Sequence, residues 1–210
     1  VRHGEIFLRH FVLGGPPLII SITGRPKAYG QIFFCLRGEI NEEWIFADGS
    51  YVRAHQHASG ARLGEERAIG KSRGGATTKI HIVADANGNP IHFEITGCEV
   101  HDSKVAGKLI ERCKKKGAAF IADKGYDSEE IRKKARQSEM IPVIPRRSNS
   151  SKPNPDFDVY LYKLRHLVEN LFARLIHFRS VATRFEKLAR NFKAIVFLAC
   201  SLTYLRLEAK

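Results

Sequence analysis

With 210 residues, 43% of them apolar and 27% charged, the chain can bury a core and has the composition of a soluble globular protein. Its net charge of +13 makes a polyanion the first partner to consider, nucleic acid before membrane, because Lys and Arg displace condensed counterions from phosphates. The four cysteines form no CxxC pair, which argues against a disulfide scaffold, and the apolar run 194–205 is too short to span a bilayer.

Residues 1–30 show no sustained period, and the apolar stretch 7–22 is broken by Arg9, His10 and Gly14-Gly15-Pro16-Pro17, unlike a signal peptide. Residues 31–36 fit a short helix or strand. From Trp44 the pattern becomes legible. WIFAD (44–48) is a buried strand that ends in Asp48, and residues 51–54 continue it across a bend at Gly49-Ser50. The Gly-, Arg- and Lys-rich stretch 59–78 reads as a mobile loop, on which Lys71 and Arg73, with Lys79 just beyond, are candidate phosphate contacts.

Residues 79–86 and 90–96 alternate about Asn87-Gly88-Asn89 and predict a β-hairpin. Asp102 or Ser103 caps a helix that turns Val105, Leu109, Ile110 and Cys113 inward. AAFIA (118–122) is a second buried strand ending in an acid, Asp123, and Asp127 or Ser128 caps a helix over 129–137. A short strand (140–144), a polar loop (145–158), an amphipathic helix over 163–179 and an apolar helix over about 187–207 complete the chain. This order predicts an α/β fold: a mixed five-stranded sheet flanked by helices.

Three carboxylates stand out. Asp48 and Asp123 each leave a buried strand, where a rigid sheet holds a side chain that still reaches solvent. Glu169 is the lone acid of a basic helix; taken alone it is a surface partner of Arg165, worth roughly 0.3 kcal/mol. Together they form a hard, oxygen-rich set suited to Mg²⁺ or Mn²⁺, and two such ions roughly 3.5–4 Å apart serve phosphodiester chemistry. Other patterns carry less. Gly64 to Ser72 nearly spells a phosphate loop but has five residues between its glycines, and His55-x-His57 with Cys98-x-x-His101 matches no common zinc spacing. A hairpin position accounts for Asp85 and a helix cap for Asp102.

Four blocks, FADGSYVRAHQHASGARL, GKSRGGATTKIHIVADANGNPIHFEITGCEVHDS, IADKGYDS and YLYKLRHLVENLFARLIHFRSVATRFEKLARNF, resemble the DDE transposases of bacterial insertion sequences. The likeness is to the insertion-sequence-five group of the insertion-sequence-four superfamily and covers about 43–207. It implies a ribonuclease H-like fold and makes Asp48, Asp123 and Glu169 the catalytic and metal-binding acids, with two Mg²⁺ ions for which Mn²⁺ substitutes. It also implies double-stranded DNA partners (the element's terminal inverted repeats and the target), end cleavage with strand transfer, a homodimer on DNA, and a cytoplasmic, nucleoid-associated location without a membrane.

Tyr162 and Arg165 stand at the intervals of the family's helix signature, but its final Lys, seven residues after the Glu, is Ile176 here. Arg174 and His177 are the nearby cations. Residues 1–30 do not resemble the family's helical end-recognition part, so 1–42 reads as a degenerate or frame-shifted DNA-binding segment and 43–210 as the catalytic domain. A nuclease that cuts without joining and a DNA-binding remnant that represses transposition are the alternatives.

Overall fold

The computed structural model describes residues 5–6, 22–23, 26–37, 40–60, 66–113 and 115–208. Its first elements are a two-residue ladder, β1 (Glu5–Ile6) with β2 (Ile22–Thr23), and a helix, α1 (Pro26–Leu36), which opens on the residue type that suits a first turn. The sequence left 31–36 open between helix and strand; it is helix. Phe33 packs against Phe197 and Tyr204, which ties α1 to the last helix, α7 (Ala189–Glu208).

The sheet is built on β3 (Trp44–Ala54), whose Ile45, Phe46 and Ala47 are all fully buried. A strand buried on both faces needs helices on both sides. It runs antiparallel to β5 (Gly75–Ala84), which in turn pairs with β6 (Pro90–Gly97), and parallel to β7 (Ala119–Ala122), which pairs with β8 (Ile141–Val143). These are the five predicted strands. Among the described residues two more bring the sheet to seven: β4 (Gly70–Ser72) on β5, and β9 (Thr183–Arg184) on the far end of β3. Both are too short and too polar to show a period of two.

Alternation sorts the core into two layers. Phe46, Ile80, Ile82, Phe93 and Ile121 face α5 (His166–Ile176), α7 and α1, while Ile45, Ala47, Val83, Phe120 and Ala122 face α2 (Asp102–Cys113) and α3 (Glu129–Gln137).

Several expectations change. β3 runs unbroken through Gly49-Ser50, and half of the expected 59–78 loop is the β4–β5 hairpin, while residues 61–65 of it lie outside the described residues. The helix expected over 163–179 is three pieces: α4 (Val159–Lys163), α5 and α6 (Arg179–Ala182). Asp158 caps α4 by accepting from the Tyr160 and Leu161 N–H groups at 2.7 and 3.0 Å. Tight i→i+3 bonds, Leu164 N–H to Leu161 O and Arg165 N–H to Tyr162 O, both 3.1 Å, then separate α4 from α5.

The predicted hairpin turn has a second role as a clamp. Gly88 lies at φ +74°, and a Cβ there would stand 3.4 Å from the Leu167 carbonyl oxygen of α5. Arg174 of α5 donates to the Gly88 carbonyl. Gly88→Val should therefore lower stability by about 2 kcal/mol in urea unfolding, the cost of forcing a side chain into the left-handed region. Gly74→Ala, where only Ser72 Oγ lies within 4 Å, should be close to neutral.

Candidate active site

The register of β3 and β7 sets the site. Parallel pairing runs from Trp44 opposite Ala119 to Ala47 opposite Ala122 and stops there. Asp48 and Asp123 are the next residue on each strand, about 5 Å apart by the spacing of neighbouring strands. By alternation both belong to the layer that α5 covers. Asp48 is not at a strand end as expected: β3 continues on β5 and meets β9 only at Arg53. The acid instead opens a gap along one edge of β3, between the end of β7 and the start of β9.

Each aspartate is fixed by a backbone N–H. Asp48 Oδ1 accepts from Gly49 N at 2.8 Å, and Asp123 Oδ1 accepts from Gly125 N at 2.8 Å in the 3-10 turn Lys124–Tyr126. Arg165, between α4 and α5, donates from Nη1 to Asp48 Oδ2 at 2.9 Å and from Nη2 to Glu169 Oε1. One guanidinium thus joins a strand acid to a helix acid. The Asp48 side chain is only 19% exposed, against 52% for Glu169.

Burial raises the Asp48 pKa and the charge of Asp123 adds to it, while Arg165 and the Gly49 N–H oppose the shift. Burial also works against the Arg165 charge, but Asp48, Glu169 and Asp123 outweigh it and raise its pKa. The position demands positive charge, and the donors offered to it are carboxylate oxygens, which fits a hard divalent cation. Among the described residues no three His, Cys, Asp or Glu side chains are close enough to hold a metal ion. Glu169, turned to Arg165, is the member that stands apart.

The six basic and aromatic residues named from sequence separate into three groups. Lys71 and Arg73 are exposed on the β4–β5 hairpin. Ile82 lies opposite Asp48, so the hairpin's Gly75 is seven residues further along β5, about 23 Å away. Tyr162 is half-buried against Phe157, and Arg165 is in the acid site. Lys79 and Arg174 take partners inside the protein. Lys79 is buried and paired to Asp102 at 2.6 Å, and Arg174 is half-buried and donates to the Gly88 carbonyl.

Sequence reading also undervalued Asp102, taken there for a helix cap. Besides Lys79 it pairs with His81 at 3.0 Å, whose other ring nitrogen lies 2.8 Å from Thr96 Oγ1. A Cβ on Gly49 would fall 2.6 Å from Asp102 Oδ1, so this buried network presses directly on the residue after Asp48. The available signal was Lys79 and His81 sharing one face of an otherwise apolar strand, which requires a counter-charge. Behind Asp123, Ser128 takes the N-cap position of α3, while the Asp127 carboxylate accepts from Arg132 at 3.0 Å and from the Arg147 N–H at 2.9 Å.

Residues 41–204 match the family described as the transposase DDE domain. The chain is 36% identical over 134 residues to the transposase for insertion sequence element IS6501 of Brucella ovis, an overlap of 62% of this chain and 99% of that protein. It is 34% identical over 135 residues to the IS402 transposase of Burkholderia cepacia, covering 60% of this chain and 61% of that one. Among solved structures, the piggyBac transposase in a synaptic complex with hairpin DNA superposes with a TM-score of 0.50 at 11% identity, over 85% of this chain and 51% of that one. At that identity the likeness is one of fold, and the fold is ribonuclease H-like.

Burial opposes ionisation of Asp102, but hydrogen bonds from His81 and Lys79 prevail and bring its pKa to about 2 from the ordinary 3.8. A carboxyl depressed by folding stabilises the protein fully above its unfolded pKa and loses that contribution as pH falls through the folded one. Asp102→Asn should cost about 2 kcal/mol at neutral pH. Its stability should also lack the decline that wild type shows between pH 3.8 and about 2. Urea titrations of both proteins across that range check this.

Proposed function

This chain belongs to the transposase DDE domain family, and from that premise we propose that it cleaves the ends of a bacterial insertion sequence and joins them to target DNA. Within the bacterial elements we place it in the insertion-sequence-five group, on the four sequence blocks quoted above. The observation that supports the reading best is Arg165, which reaches Asp48 and Glu169 together beside Asp123.

In this reading Asp48, Asp123 and Glu169 would hold two Mg²⁺ ions, or Mn²⁺ in their place. When bound, the ions neutralise charge at the attacking and leaving oxygens of the phosphodiester. Asp48 and Asp123 keep their orientation through the Gly49 and Gly125 N–H groups. Glu169, the most exposed of the three, would turn from Arg165 to the cation, leaving the guanidinium to face a DNA phosphate. Water attacks first and the freed 3′-hydroxyl next, each displacing a 3′-oxygen in line, with no covalent protein–DNA intermediate. Positioning and charge carry the catalysis more than acid–base side chains do.

Lys71 and Arg73 lie too far from the acids to touch the scissile phosphate and contact the duplex backbone further along; Tyr162 supports the helix beside it. Residues 43–210 form the catalytic unit, with α1 of the preceding segment packed on its last helix. Synapsis of two ends makes the working form a homodimer on DNA in the bacterial cytoplasm.

A cleavage assay with Mg²⁺ on labelled duplexes flanking the gene tests the reading. Asp48→Asn should reduce cleavage by about 10³-fold while leaving duplex binding intact. Retained cleavage would refute the assignment; nicks without joined products would indicate a nuclease, and binding without any wild-type cleavage a repressor.

Ile176, where the family carries Lys, is 47% exposed at the end of α5. Ile176→Lys should tighten duplex binding and steepen the slope of log K against log salt by about 0.9, one added phosphate contact. Fluorescence anisotropy at several salt concentrations measures it.

A further inference from the structure

β3, β7 and β8 are parallel, and the carboxyl ends of β7 and β8 open on the edge of the sheet where Asp48 and Asp123 lie. Open α/β sheets take their ligands outside that edge. Ile121 pairs with Val143, and carrying this register forward puts Pro145 level with Asp123, with Arg146 and Arg147 next in the chain. The two arginines differ. Arg146 Nη1 donates to Asp127 and Glu129, and its Nη2 donates to the Pro153 carbonyl at 3.0 Å. Arg147 is exposed, and its backbone N–H is held by Asp127 Oδ2 at 2.9 Å, which fixes where the side chain starts. Its guanidinium has one contact among the described residues, from Nε to the Lys124 carbonyl at 3.5 Å, and neither Nη group has a partner.

The peptide between Lys124 and Gly125 bounds the distance from this charge to the acids. Its N–H donates to Asp123 Oδ1 at 2.8 Å, and its carbonyl accepts from Arg147. Across one planar peptide, Arg147 Nε is no more than about 9 Å from the Asp123 carboxylate. A guanidinium presents a planar fork of N–H donors that matches phosphate oxygens. Along one strand of a duplex, phosphates follow at about 3.4 Å of axis per nucleotide. Resting on the phosphodiester reading above, we propose that Arg147 is a DNA-binding residue whose Nη groups hold a backbone phosphate one or two nucleotides from the bond that is cut. Lys71 and Arg73, on the distant β4–β5 hairpin, do not reach that phosphate. Arg146 does not supply the contact, since its donors are taken up inside the protein.

Cleavage by the wild-type full chain in Mg²⁺ maps the scissile bond on labelled duplexes flanking the gene. Fluorescence anisotropy without metal then compares wild type, Arg147→Ala and Arg147→Lys on those duplexes at several salt concentrations. Arg147→Ala should melt at the wild-type temperature, bind more weakly, and show a slope of log K against log salt shallower by about 0.9, one phosphate contact. Arg147→Lys, which keeps the charge, should restore the slope. A single uncharged methylphosphonate one or two nucleotides from the mapped cut should weaken binding by the wild type and cause no further loss in Arg147→Ala. A wild-type slope in Arg147→Ala, or equal losses from the methylphosphonate in both proteins, would overturn this inference alone, because the mapped cleavage leaves the acid-site reading standing. No cleavage by the wild type would overturn that reading and this inference with it.

Discussion

Parallel pairing between β3 and β7 ends at Ala47 and Ala122, and the next residue on each strand is an aspartate. Two like charges side by side on a buried sheet repel, and burial makes that repulsion stronger than it would be in water. The surrounding structure answers it. Backbone N–H groups fix one oxygen of each acid, and Arg165 brings a cation to Asp48 from the opposing helix. Side chains carried at or next to a rigid sheet keep such an arrangement to fractions of an ångström more readily than those of a loop.

The helix that carries Glu169 depends in turn on the β5–β6 turn. Gly88 allows the turn to press on Leu167, and Arg174 fastens α5 to it from the other end. The chain's basic residues therefore have two employments. Arg165, Lys79, Arg174 and Arg132 are spent on internal acceptors, while Lys71 and Arg73 remain exposed for a polyanion. Net charge alone overstates how much of the positive potential reaches DNA.

The sequence made the strands with strong alternation legible, together with the turn at Asn87-Gly88-Asn89 and the helices over 102–113, 129–137 and 189–208. Their periods come from burial on one or two faces, which leaves a mark in every second or third residue. β4 and β9 are held by backbone pairing along an existing edge, and backbone bonds leave no side-chain pattern. The split of the 163–179 helix came from the Asp158 cap and a tightened turn, local geometry that an unbroken apolar stripe conceals. That Lys79 and Arg174 take internal partners was not legible, because composition shows how many cations there are but not which acquire such partners. Asp48, Asp123 and Glu169 were legible as candidates, because two of them follow buried runs and the third is the one acid of a basic helix.

The central claim is that adjacent strand aspartates share a divalent cation. Crystals of the chain soaked in Mn²⁺ and measured for anomalous scattering test it directly. The account predicts an anomalous peak about 2.1 Å from carboxylate oxygens of both Asp48 and Asp123. A Mn²⁺ peak bound elsewhere, with the Asp48 and Asp123 oxygens unliganded at saturating metal, would contradict it.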